Sequence, residues 1–351
     1  MRFWDPMMSA VETRRFSCGG ASFSFQVWKA PAAEASAADL APDEGCAIAA
    51  ACRESAVPLI LLHGFAQSSA SWNATASELA ATGRPVYALD LVGHGGSERP
   101  ANPRAYALDA QGEALLAFAR VIADAEGVRP AVLGYSMGGR VTLAALHSDP
   151  RAFSAVILEA AGFGSATQAE REAAAKRDAA CATRLRADGL EAFMDFWEQL
   201  PLFASQRDLP PDVRERLRAG RMANDAEALA RTFEQAGQHV MPSRAETLET
   251  LAVLRAGGTP LLYLAGERDE KYRVLAAQAA EAGAVMRVVP GAGHNAHLEA
   301  PAAFVRKYRC SSGNDESALE KVARNVESAW ERRWNRARSG RFFMVMRAME
   351  T

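Results

Sequence analysis

The sequence predicts an α/β protein: a mostly parallel, doubly wound sheet with a helical cap inserted into it. Three observations carry this reading. Short apolar runs alternate with helical patterns, as in chains that build parallel sheets through helical crossovers. Several of those runs end in glycine-rich loops, as parallel strands do when their carboxyl ends line a site. After Gly164 the texture changes to helix formers and charges, with no strand-like run until Pro260.

Size and composition permit this architecture. The chain has 351 residues and is 49% hydrophobic, enough for one large domain with an insertion or for two small ones. The formal net charge of −2 gives no reason to expect nucleic acid. Five cysteines (Cys18, Cys46, Cys52, Cys181, Cys310) are scattered and form no Cys-x-x-Cys pair. They indicate neither a zinc site nor a disulfide framework and read as free thiols in the cytoplasm. No apolar run is long enough to span a bilayer, and the first twenty residues lack the pattern of a secretory signal. No metal-spaced cluster and no Gly-x-Gly-x-x-Gly after a strand is present, so neither metal nor cofactor is expected.

Taken in order, residues 1–56 hold an N-terminal strand and an exposed insertion. Residues 1–20 read as irregular. Phe23, Phe25 and Val27 alternate with Ser24 and Gln26, which predicts a half-buried strand. Residues 30–56, rich in Ala, Asp, Glu and Pro, have little to bury. The first part of the core, 57–164, carries strands at Val57–Phe65, Val86–Leu91, before Gly134, and Ala155–Ala161. Helices fall at about 71–81 and 108–126. Residues 165–250 are the cap, with Phe193, Phe196, Trp197, Leu200 and Phe203 on its apolar face. The sheet resumes in 251–305 with Pro260–Gly266 and Val285–Val289. Residues 306–351 read as a linker and an amphipathic helix (Leu319, Val322, Val326, Trp330, Trp334) with an arginine-rich end. Such a helix can touch a membrane surface or a partner, but one folded back on the body has the same pattern, and that reading is preferred.

The chemistry centres on Gly134-Tyr135-Ser136-Met137-Gly138, a Gly-x-Ser-x-Gly between a strand pattern and a helix pattern. The turn it predicts is sharp and needs small neighbours. It lifts the hydroxyl to the carboxyl end of a strand, over a helix N-terminus whose free N–H groups favour negative charge. A solvated serine in a glycine-rich turn is the plainer alternative. A nucleophilic serine needs a base, and the base an orienting acid. Around this type of turn the order along the chain is serine, acid, histidine. Asp269, in Gly266-Glu267-Arg268-Asp269, and His294, in Pro290-Gly291-Ala292-Gly293-His294, both follow strands and fit that order. Glu267 is the rival acid. Asp90 precedes the serine and reads as a structural hydrogen-bonder. His297 reads as the start of a helix and His94 as structural, while His147 and His239 have no motif around them. The oxyanion donors would be the backbone N–H groups of Met137 and Phe65. Arg140 lies four residues after Ser136, one turn down the same face. A buried arginine there needs an anion: a carboxylate substrate, held bidentately, or an acid of the cap.

Several stretches are more specific than the turn. They are Leu62-His63-Gly64-Phe65, Asp90 to Ser97, Gly134-Tyr135-Ser136-Met137-Gly138-Gly139-Arg140, Gly266 to Tyr272, and Gly291-Ala292-Gly293-His294-Asn295-Ala296-His297. The cap adds Phe193 to Trp197, Pro201 to Ser205, and Arg221 with Asn224. On these residues, covering roughly 57–305, the chain resembles the 2-succinyl-6-hydroxy-2,4-cyclohexadiene-1-carboxylate synthases of menaquinone biosynthesis, a branch of the α/β-hydrolase superfamily. The resemblance implies the α/β-hydrolase fold and a lyase that releases pyruvate from a small polycarboxylate without a cofactor. It implies that Ser136, Asp269 and His294 act as a base relay, and that Arg140, Arg221, Arg171, Tyr135 and Trp197 bind substrate. One departure stands out: in Glu170-Arg171-Glu172-Ala173-Ala174-Ala175-Lys176-Arg177, Ala174 occupies the position where the family carries a substrate-binding arginine. Lys176 or Arg177 is the candidate replacement. A serine esterase or carbon–carbon hydrolase is the alternative activity, because fold and triad do not fix substrate. A silent ligand-binding member is a third reading, against which the intact triad argues.

Overall fold

The computed structural model describes residues 11–29 and 57–309. Its centre is an eight-stranded sheet in the order β1-β2-β4-β3-β5-β6-β7-β8. The strands are β1 (Glu12–Cys18), β2 (Ala21–Trp28), β3 (Leu59–Leu62), β4 (Val86–Leu89), β5 (Ala131–Tyr135), β6 (Val156–Glu159), β7 (Leu261–Gly266) and β8 (Val285–Val289). Every residue of β3 to β7 is buried. That is the signature of parallel strands covered on both faces, and it is why they read as unbroken apolar runs. From β4 through β8 all pairings are parallel; β1–β2 and β2–β4 are antiparallel.

The first strand corrects the sequence reading. Residues 12–18, taken as irregular, pair along their whole length with β2. The segment Glu-Thr-Arg-Arg-Phe-Ser-Cys is mostly exposed at the sheet edge, so it shows no hydrophobic alternation beyond Phe16 and Cys18. Phe16 secures it by packing on Phe23 and Phe118, at ring separations of 5.1 and 4.9 Å.

Helices α1 (Asn73–Ala80), α2 (Leu108–Glu126) and α3 (Met137–Ser148) belong to the first half of the core. The second half has α8 (Glu270–Glu281), the short α9 (Ala296–Glu299) and α10 (Pro301–Arg309). Helix α2 packs on α3, and α1 packs on α9 and α10. The last helix runs four residues past the expected end of the core at 305, and the fully buried Tyr308 accepts a hydrogen bond from Arg84.

Between β6 and β7 the chain is helical, as its composition predicts. It runs through α4 (Gln168–Trp197, broken at Gly189), α5 (Pro211–Met222), α6 (Ala226–Ala236) and α7 (Arg244–Ala256), with 3-10 turns at Pro201–Asp208 and Gln238–Val240. The expected cap boundary at 250 falls inside α7, which packs on α3 of the body. The insertion has its own small core of Cys181, Ala182, Leu185, Phe193, Met194, Leu229, Ala230 and Phe233, into which Ala66 from the loop after β3 is set. Among the described residues no helix is long and apolar enough to cross a membrane. The expected insertion at 30–56 and the arginine-rich helix of 319–347 lie outside the described residues.

Candidate active site

Ser136 sits between the last residue of β5 and the first of α3, at φ 50° and ψ −104°. A positive φ at a non-glycine residue is strained and persists only where the surroundings enforce it. Here they do. A Cβ on Gly134 would lie 2.5 Å from Thr142 Oγ1, and one on Gly138 2.5 Å from the Leu62 carbonyl oxygen. The turn therefore closes only around two glycines, and the Ser136 N–H is pinned to the Glu159 carbonyl at 2.8 Å.

Two other loops reach the same point. Asp269 caps α8 just beyond β7, and His294 follows β8. Ser136 Oγ lies 3.0 Å from His294 Nε2, and His294 Nδ1 lies 2.7 Å from Asp269 Oδ2. His294 and Asp269 are buried, while Ser136 is partly open. The carboxylate thus fixes the ring with Nδ1–H toward Asp269 and Nε2 free to accept the serine proton. Rings of Tyr272, Tyr135 and Phe203 surround His294 at 4.6, 5.4 and 6.1 Å. Burial raises the phenol pKa of Tyr135 well above its ordinary value and that of Tyr272 to about 12, the nearby Asp269 charge adding to both.

The rivals fall elsewhere. Glu267 accepts from the Gly291 N–H at 2.8 Å and does not meet the imidazole. Asp90 accepts from the N–H groups of Ser69 and Gly96 at 2.6 and 2.9 Å, bracing the loops after β3 and β4. His63 donates from Nδ1 to the Gly64 carbonyl and accepts the Leu91 N–H at Nε2, so it bridges those loops only as the neutral ring. Burial lowers its pKa to about 4, and that of His94 to about 3. His147 is exposed beside Thr250, and His239 pairs with Asp178 at 3.0 Å.

Of the expected oxyanion donors, the Met137 N–H opens α3 and so has no acceptor within the helix. Phe65 lies on the loop after β3, its ring 5.2 Å from Trp197 and 4.4 Å from Phe233. Trp197 also stands 5.6 Å from Phe203, so the insertion lays an aromatic cover next to His294.

The arginines divide sharply. Arg171 donates to the His239 and Met241 carbonyls at 2.7 and 2.8 Å; it clamps the helical insertion, and the structure does not bring it to the triad. Arg221 is buried behind Phe203, its guanidinium already answered by Glu198 at 2.9 Å and Gln206 at 2.7 Å. The Arg140 guanidinium makes no hydrogen bond or ion pair among the described residues. Burial lowers its pKa, and the acid whose charge it feels most, Asp178, is already committed to Arg177, His239 and the Gln238 N–H. The acid of the cap considered as its partner is therefore not bonded to it.

Ala174 is buried on α4. Arg177, one turn on along the same face, is near enough for its charge to lower the pKa of both Arg140 and Lys271. Lys176 is exposed. Lys271, whose ammonium stands 5.8 Å from the Tyr272 ring, stands out in the sequence only as part of the Gly266 to Tyr272 motif. Its position directly after the acid loop was the signal available. Among the described residues no group of three His, Cys, Asp or Glu side chains is placed to hold a metal.

Residues 57–301 match the family model for the α/β hydrolase fold, the class that this sheet and the turn at Ser136 define. A 2-succinyl-6-hydroxy-2,4-cyclohexadiene-1-carboxylate synthase from Serratia proteamaculans (strain 568) is 34% identical over 72% of this chain and 91% of its own length. One from Escherichia coli O1:K1 is 33% identical over 70% of this chain and 90% of its own. The solved structure of MenH from S. aureus, 26% identical, superposes with a TM-score of 0.65 over 78% of this chain and 96% of that one. A thermophilic esterase from Thermogutta terrifontis shares the fold at a TM-score of 0.64 and 20% identity, over 89% of this chain and 99% of its own. The chain belongs to the α/β hydrolase fold family and, within it, to the 2-succinyl-6-hydroxy-2,4-cyclohexadiene-1-carboxylate synthases.

Proposed function

We propose that this protein releases pyruvate from 2-succinyl-5-enolpyruvyl-6-hydroxy-3-cyclohexene-1-carboxylate, leaving the conjugated 2-succinyl-6-hydroxy-2,4-cyclohexadiene-1-carboxylate of menaquinone biosynthesis in the cytoplasm. The observation that carries the reading is a hydrogen-bonded Ser136–His294–Asp269 chain standing one helical turn from an arginine whose guanidinium has no hydrogen bond or ion pair among the described residues.

His294 takes the Ser136 proton, and the serine oxygen removes a ring proton from the substrate. The electrons of that C–H bond form one ring double bond, and the existing ring double bond shifts one position toward the carbon that bears the leaving oxygen. The ring C–O bond breaks, and the enolpyruvyl oxygen leaves with its electron pair. The enolate of pyruvate then takes up a proton, returned through His294, so no acyl-enzyme forms. Asp269 keeps the imidazole in the required tautomer and balances its charge. The N–H groups of Met137 and Phe65 stabilise enolate-like charge on the substrate.

The substrate's carboxylates answer the cations. Arg140 takes one bidentately. Arg177 and Lys271, both near Tyr272, supply the charge that Ala174 does not. Tyr135 and Trp197 line the apolar flank. Arg221 acts one step back, by holding Phe203 in place.

The test is to supply the enolpyruvyl substrate to folded protein and follow pyruvate release together with the absorbance of the diene. Appearance of both supports the reading, and appearance of neither overturns it. A stable acyl-enzyme with an activated neutral ester, without diene formation, would identify the esterase alternative instead.

A further inference from the structure

A second imidazole–carboxylate pair lies three residues beyond the first, and the chemistry above does not use it. His297 and Glu159 are both fully buried, with His297 Nδ1 2.8 Å from Glu159 Oε2 and the His297 N–H donating to Glu159 Oε1 at 3.0 Å. We propose that Glu159 is a positioning residue: it ties the His294 loop to the Ser136 turn and so sets the gap across which their proton moves. The inference rests on the triad of the proposed function.

The connection is direct. Glu159 ends β6 and pairs in register with Tyr135 on β5. Its carbonyl receives the Ser136 N–H at 2.8 Å, while its carboxylate receives two N–H groups of His297. One residue of a central strand therefore bonds to the loops of both proton-transfer partners. His297 has no room to drift, since Trp72 stacks on it at 3.6 Å and Tyr135 meets it edge-on at 5.0 Å. Nearer the base, Glu299 accepts from the Gly293 N–H at 2.6 Å and the Asn295 N–H at 3.1 Å, which holds the peptides on both sides of His294.

Stability alone is a poor reason for this pair. Apolar side chains of the same volume commonly serve a core as well as a buried ion pair does. What a carboxylate adds is two acceptors at fixed spacing on a rigid strand, and catalytic geometry is lost over displacements of about an ångström.

The experiment compares crystal structures and steady-state kinetics of the full-length wild type with Glu159→Gln, His297→Phe and His297→Gln. Glu159→Gln keeps the volume but can no longer accept both N–H groups. Its Ser136 Oγ to His294 Nε2 distance is expected to open beyond about 3.5 Å, with kcat down about 10- to 100-fold and KM within about twofold. His297→Phe keeps the stack on Trp72, removes the ring donor and is expected to show the same loss; it carries the test if Glu159→Gln does not fold. His297→Gln retains a donor and is expected to stay within about threefold of wild type in kcat. A folded Glu159→Gln or His297→Phe protein with unchanged distance and unchanged kcat overturns the proposal. Absence of turnover in the wild type would count against the proposed reaction, while the crystallographic distance would still decide the role of Glu159.

Discussion

The floor of the site and the roof over it are built on opposite plans. The floor consists of the carboxyl ends of β3 to β8 and the loops that follow them, and its polar groups are paired and buried: Asp269 with His294, Glu159 with His297, Asp90 with two backbone N–H groups. The roof is helical, and much of its charge is spent on its own surface, as where Arg186 bridges Glu227 and Glu234. Arg140, at the boundary, feels the charge of Asp178 but its guanidinium forms no ion pair among the described residues. The floor thus holds a geometry, and the boundary holds the cation to which the proposed function assigns a substrate carboxylate. Changes to the floor are expected in kcat, and changes to the boundary cations in KM.

The largest effect tests the floor. Ser136→Ala and His294→Ala should each reduce kcat by roughly 10⁴-fold or more, and Asp269→Asn by about 10³- to 10⁴-fold, with little change in KM, as measured by pyruvate release. A loss confined to KM would erase the distinction between the two regions.

The floor should also fail first in acid. His63 and His94 release their protons far more readily folded, at about 4 and about 3, than at the ordinary value of 6.5. Below pH 6.5 the unfolded chain therefore binds more protons, so the stabilisation is complete above that pH and drains away as the pH falls toward 4. Each ring should cost about 2 kcal/mol between pH 6.5 and pH 5. Urea unfolding at the two pH values measures the sum, and His94→Gln should remove about half of the slope.

Arg140→Ala should raise KM about 10- to 100-fold, the worth of a charged hydrogen-bonded contact, with a smaller effect on kcat. Arg177→Met and Lys271→Met should each raise KM about three- to tenfold, because both groups are partly solvated. Salt should weaken these last two effects and leave the triad variants unchanged.

The same contrast governs what could be read from residues alone. The triad was legible because each member follows a strand and carries its own short motif. The extent of α2 followed from periodicity and the buried strands from unbroken apolar runs, although β3 (Leu59–Leu62) is shorter than the expected Val57–Phe65. Edge strand β1 was not legible, since exposed residues need no hydrophobic pattern to pair. Nor was the bond between Glu159 and His297, whose partners stand 138 positions apart with no local feature to join them. The fate of the arginines was hidden for a similar reason. Arg171, Arg221 and Arg140 are the same side chain, and only their surroundings separate one held by carbonyls, one held by Glu198 and Gln206, and one with no ion pair among the described residues. Arg177 was one of two candidates to compensate for Ala174, and the roughly 100° of helix rotation between it and exposed Lys176 is what singles it out.

The place where the helical insertion joins the sheet has an evolutionary consequence. It departs after β6 and returns at β7, and those two strands are hydrogen-bonded neighbours. Its last helix, α7, already rests on α3 and feeds straight into β7, as the crossover of an ordinary strand–helix–strand unit does. Trimming or exchanging the segment before α7 would leave both strands in register, and with them the loops that carry Ser136, Asp269 and His294. Substrate preference in this architecture can therefore be rewritten as a replaceable cassette, without renegotiating the chemistry underneath.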